Sequence, residues 1–110
     1  MRVLLVDDQR LFREGLCALL ASRGRAKDVE IVGQAASARE AYELVRRLRP
    51  DLVVTELLLP GVDGVTAVRE IRKLQQGCKI LVLTGCKESR RLQDAWLAGI
   101  DACVTNDEPV

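Results

Sequence analysis

Five short apolar runs, rich in β-branched residues, recur near residues 2–7, 29–34, 51–56, 79–84 and 102–105 and read as strands. The stretches between them repeat their apolar residues at helical spacing, and this alternation argues for a doubly wound parallel sheet. The first helix, expected over about 9–23, aligns Leu11, Phe12, Leu16, Leu19 and Leu20 in one stripe and ends near Gly24. The second opens on Ser37 with Glu40 three residues later, a capping-box pattern, and carries Ala41, Leu44, Val45 and Leu48. The third runs from Gly64 to about Leu74 with Val65, Val68 and Ile71 inward. The fourth, from about Glu88 to Ala98, holds the one tryptophan, Trp96, which is expected in the core. Leu97 beside it should then face outward, where Leu92 or Cys86 could extend it into a small apolar patch.

The stretch Pro50 to Gly64 joins one strand to one loop. Leu52, Val53 and Val54 suit a strand buried on both faces, and Pro60-Gly61 stops it. Glu56 therefore falls at the strand's carboxyl end, the edge at which open α/β sheets bind ligands. Asp7 and Asp8 close the first run in the same way. Parallel, adjacent strands would bring these three carboxylates into one crevice. The plainer alternative is that Asp8 caps the first helix and Asp63 the third.

The length, 110 residues, suits one domain with a single core. The 17 basic and 16 acidic residues are interspersed, without the basic stripe of a nucleic-acid surface. Arg46, Arg47 and Arg49 gather where a helix end favours cations. Neither a signal-like N-terminal segment nor an apolar run of membrane-spanning length is evident, so a cytoplasmic location is expected. Cys17, Cys78, Cys86 and Cys103 lack the spacing of metal ligands and histidine is absent. Zinc, haem and Cys-His catalysis are thus unsupported, and reduced, mostly buried thiols are expected. Cys86, just past a strand end, is the one expected to be more exposed. No glycine-rich phosphate loop follows the first strand, where Asp7-Asp8-Gln9-Arg10 stands instead.

Val6-Asp7-Asp8, the stretch Pro50 to Gly64, Ile80 to Thr84 and Gly99 to Asp107, in this order and spacing, resemble the receiver domain of two-component response regulators, within it the NarL/FixJ-like group whose outputs bind DNA. The resemblance spans the chain. It implies a flavodoxin-like five-stranded parallel sheet of order 2-1-3-4-5 and a fifth helix whose start is Asn106-Asp107-Glu108-Pro109. Residues 1–110 are then expected to be a receiver domain short of its last helix, with any output domain beyond residue 110. The chain would be a piece of a longer protein or a short form completed by a partner. Apolar surface is expected where that helix would pack beside the first.

In such receivers an aspartate at the position of Glu56 accepts a phosphoryl group from a histidine kinase, with Mg²⁺ held by acids and a backbone carbonyl. A hydroxyl and a lysine bind the phosphoryl oxygens, and an aromatic residue repacks. Residue by residue, Asp7, Asp8 and Thr84 are kept, whereas Glu56 replaces the phosphoacceptor, Asn106 the lysine and Cys103 the aromatic. A weak Mg²⁺ site would use Asp8, Glu56, the Leu58 carbonyl and, through water, Asp7. The extra methylene of Glu56 displaces the carboxylate, and a shift of that order can cost about 100-fold in rate. Losing the lysine removes a point charge, so the three acids should raise the pKa of one of them or draw in a cation.

The expectation is a non-enzymatic, atypical receiver that controls a DNA-binding transcriptional output through protein contacts, independently of aspartyl phosphorylation. The fourth-helix face would meet a protein partner or a second copy. Two readings of Glu56 stay open: an inert replacement, or a mimic of the active state that holds Thr84 by a hydrogen bond. The alternatives are a working Mg²⁺-dependent phosphoacceptor served by a histidine kinase and, more remotely, an enzyme or nucleotide-binding protein on the same fold.

Overall fold

The computed structural model describes residues 1–22 and 28–105. Strands β1 (Arg2–Val6), β2 (Glu30–Ala35), β3 (Leu52–Thr55), β4 (Lys79–Thr84) and β5 (Ala102–Thr105) alternate with helices α1 (Arg10–Ser22), α2 (Ala38–Leu48), α3 (Gly64–Leu74) and α4 (Ser89–Ala98). The strands form one parallel sheet of order β2-β1-β3-β4-β5. Each expected element is present, with shifts confined to its ends. The first helix's end near Gly24 and the helix start at Asn106 to Pro109 lie outside the described residues.

Successive strand residues point to opposite faces. Leu4, Val6, Val53, Ile80 and Val82 turn to one side and make the main core with α2, α3 and α4. Val3, Leu5 and Val54 turn to the other, against Leu16 and Cys17 of α1. The expected α1 stripe therefore splits, because a single helix resting on a sheet covers it with one flank. Leu16 and Leu20 approach the sheet, while Leu11 is 85% exposed and Phe12 and Leu19 are exposed as well. Beside them Leu16, Leu20, Val54, Leu81 and Leu83 line an apolar groove of about 230 Å³.

Local chemistry sets the helix ends. Ser37 Oγ accepts from Glu40 N at 3.2 Å, and Asp63 Oδ1 from Val65 N at 3.3 Å, each satisfying an amide that the first turn leaves open. Helix α4 closes on Gly99 at φ 111°, a left-handed conformation that costs glycine little. At Gly64 the constraint is space: a Cβ there would lie 2.2 Å from the Leu57 carbonyl oxygen, so the loop after β3 can fold onto the start of α3 only over glycine.

Trp96 departs from expectation. Helix α4 turns Ala95 into the core, with Leu92 and Ala98 packed at the core's edge. These positions, three apart, take the inward row of a short helix, which leaves Trp96 50% and Leu97 79% exposed. The outward apolar pair is thus Trp96 with Leu97. Leu92 and Cys86 face inward.

Two arginines fasten the strands' amino ends. Arg2 Nη1 donates to the carbonyls of Leu48 and Arg49 at 2.5 and 3.0 Å. Arg72 donates to the carbonyls of Gln76 (2.8 Å), Cys78 (2.5 Å) and Gly99 (2.6 Å), and to the Asp101 carboxylate (3.0 Å). Asp101 in turn accepts from Ile80 N at 2.9 Å. No helix among the described residues is long and apolar enough to cross a membrane.

Candidate functional site

At the sheet's other end, Val6 pairs with Thr55, and Glu56 N donates to Val6 O at 3.1 Å. Asp7 and Glu56, the next residues along, are therefore neighbours across the ladder. Thr84 ends β4 opposite Thr105. A cavity of about 520 Å³ at this edge is lined by Asp7, Gln9, Glu56, Thr84 and Gly85, with Phe12 and Val104 on an apolar wall. The acids and the hydroxyl singled out from the sequence, Asp7, Glu56 and Thr84, do meet in one crevice. Asp8, the third acid expected there, is exposed and does not line the cavity.

The carboxylate of Glu56 does not project freely. Its extra methylene lets it curl back, so that Oε2 accepts from Leu57 N at 2.6 Å and Leu58 N at 3.2 Å, while Oε1 accepts from Gly85 N at 3.3 Å. The side chain thus ties the loop after β3 to the loop after β4. The Glu56–Thr84 bond is not formed; instead Thr84 Oγ1 accepts from Cys86 N at 3.0 Å. That bond folds Cys86 inward to 6% exposure, against the expectation of an exposed thiol. Cys78 is buried too, Cys17 and Cys103 are half-buried, and all four thiols are free. Burial first, then the nearby Cys86 and Glu56, raises the pKa of Cys103. Asn106 lies outside the described residues.

Asp7 carries the electrostatic signature of the site. Burial, most of all, raises its pKa from the ordinary value, and the charges of Glu56 and Asp8 push the same way. The Gln9 amide, donating to Oδ1 at 2.9 Å, and the Arg13 guanidinium oppose the rise. The expected effect among the acids is present at Asp7, with desolvation ahead of repulsion. It is also Asp7, not Asp8, whose carboxylate accepts an amide at the entrance to α1. Arg13 escaped the sequence reading; it donates to the Asp7 carbonyl and to Gln34 Oε1 at 3.2 Å. A cation in a helix's first turn, where the dipole disfavours it, was the signal that could have found it.

Among the described residues no three acid or thiol side chains gather closely enough to hold a metal ion. Glu56 accepts one amide on Oε1 and two on Oε2, which leaves Oε1, Asp8 and part of Asp7 as carboxylate donors. That donor set is compatible with a weak Mg²⁺ on Asp8, Glu56 and the Leu58 carbonyl and not with a tight cage of three acids.

The sequence matches the response regulator receiver domain family over residues 3–108. It is 36% identical over 104 residues to the response regulator protein VraR of Staphylococcus aureus, a match covering 94% of this chain and 48% of that one. The chain thus spans about half the length of that curated relative. A two-component response regulator of the LuxR family from Aurantimonas sp. SI85-9A1 superposes with a TM-score of 0.86 at 38% identity, over 97% of this chain and 74% of that one. A response regulator from Burkholderia pseudomallei, solved with a phosphorylated aspartic acid, calcium ion and citrate, gives a TM-score of 0.82 at 28% identity, over 99% and 61%.

Proposed function

Since this chain belongs to the response regulator receiver domain family of two-component signalling, we propose that it is an atypical receiver, signalling through protein contacts without aspartyl phosphorylation. One observation carries this: the Glu56 carboxylate already bonds the amides of Leu57, Leu58 and Gly85. An acceptor so engaged attacks a phosphorus atom only by loosening bonds on the attacking oxygen, one on Oε1 or two on Oε2, and starts one methylene out of place. The Thr84 bond expected of an active-like Glu56 is absent, but the bridge to Gly85 supports that reading by another contact, because it joins two loops through a carboxylate set where a phosphoryl group would join them. Thr84 holds the Cys86 amide, Cys103 stands where a swinging aromatic is expected, and Asn106 replaces the lysine.

In this reading Trp96 and Leu97 of α4 meet a protein partner or a second copy. The protein continues past Val110 with the receiver's last helix and a DNA-binding output, as the LuxR-family relatives suggest, and acts in the cytoplasm as a non-enzymatic module. The retained Asp7, Asp8 and Thr84 support a second reading, a working phosphoacceptor. There a histidine kinase supplies the phosphoryl group, and weak Mg²⁺ on Asp8 and Glu56 uses the lone pairs that the Leu57, Leu58 and Gly85 amides leave free.

Intact mass after incubation with Mg²⁺ and acetyl phosphate separates the two. Only the Glu56→Asp, Asn106→Lys double variant should gain a phosphoryl group; a gain by the unmodified chain overturns the proposal.

A further inference from the structure

The segment from β4 into α4 is tied to the segment from β3 into α3 at two points. At the sheet edge Gly85 N meets Glu56 Oε1 at 3.3 Å. Within α4, Arg91 Nη2 donates to Asp63 Oδ1 at 3.0 Å, the oxygen that also caps α3 through Val65 N. That hydrogen bond is the main cause of a raised Arg91 pKa. The other anchors of α4 are Leu92, Ala95 and Ala98 against the core and, past its end, Arg72 on the Gly99 carbonyl. The helix starts on Glu88 without a side-chain cap, and Ala95 is its one fully buried residue. Those anchors lie from Leu92 onward, so the first turn of α4 takes its pose from the ties at Gly85 and Arg91.

We propose that Arg91 and Asp63 form a latch that, together with the Glu56–Gly85 bond, fixes the pose of α4 and hence the outward presentation of Trp96 and Leu97. This rests on the reading of Glu56 as the site's internal anion. Arg91 acts here as a positioning residue. Its contact transmits the state of the sheet edge to the docking face without an added phosphoryl group, since both ties converge on the β3–α3 segment. Losing either should widen the range of α4 poses and weaken partner capture.

Asp63→Asn removes the charge and keeps an acceptor for the α3 cap; Arg91→Gln removes the cation and leaves the cap untouched. In the full chain, followed by amide hydrogen exchange, each substitution should speed exchange across 89–98 by about threefold, in keeping with a partly exposed ion pair, and leave α2 unchanged. Acrylamide quenching of Trp96, the sole tryptophan, should rise in step. An unchanged α4 rate overturns the latch, and so does an acceleration shared equally by α2. An effect confined to Asp63→Asn overturns it as well, because the cap alone then accounts for it. The reading of Glu56 fails by a separate sign: if the unmodified chain gains a phosphoryl mass while both substitutions still loosen α4, the latch stands and that reading falls.

Discussion

At the amino ends of the strands charged side chains meet their partners, Arg72 reaching three carbonyls and Asp101, whereas at the carboxyl ends Asp7, Asp8 and Glu56 stand together with Arg13 as a nearby cation. The first arrangement serves the fold. The second works against it, since burial and like charge both make ionised Asp7 less comfortable than in the unfolded chain. Charge kept where folding does not ask for it marks the end of the molecule that was shaped for a task.

The contrast can be broken most sharply at Arg72. Replacement by Met leaves the Asp101 carboxylate and three carbonyls short of donors, and urea unfolding should show a loss of about 2–3 kcal/mol. A change within experimental error would mean that the amino end is no better fastened than the site. Asp101→Asn should cost less, about 1 kcal/mol at neutral pH, given its partial exposure. The Ile80 amide first, then Arg72, holds the Asp101 carboxyl below its ordinary 3.8. A lowered folded-state pKa gives stability that is present above the unfolded value and lost as pH falls through the folded one. The gap between native protein and variant should therefore close in acid below 3.8. A gap that persists there would assign the effect to shape and not to charge.

Asp7→Asn is the mildest change and has the opposite sign. The raised pKa means the folded state binds the proton more tightly, so stability declines as pH rises from 3.8 through the folded value. The amide keeps an acceptor for Gln9 and sheds the charge. Thermal melts at neutral pH should gain about 1–2 °C, and the gain should vanish below the ordinary carboxylate range. A loss of stability at neutral pH would show that Asp7 serves the fold after all.

Strand runs, caps at Ser37 and Asp63, and the convergence of Asp7, Glu56 and Thr84 were legible in the sequence because each depends on local spacing or on strand ends in a parallel sheet. The path of the Glu56 carboxylate was not. One methylene decides whether it reaches outward or back to Leu57, Leu58 and Gly85, and periodicity carries no trace of that choice. Trp96 misled because hydrophobicity predicts burial, whereas the row through Leu92 and Ala95 had already taken the inner face of α4. Arg72 and Arg91 act through partners distant in sequence, Gly99 and Asp101 for one and Asp63 for the other. Nothing in their surroundings distinguishes them from ordinary surface cations.

The sheet order also governs how this protein emerges from the ribosome. β1 precedes β2 and β3 in the chain, yet it sits between them and needs both to satisfy its two edges. Until Thr55 has left the exit tunnel the earliest residues have no complete ladder to join. With β2 alone in place, Val3 to Val6 keep one edge open, and an open strand edge of that kind invites aggregation until β3 closes it.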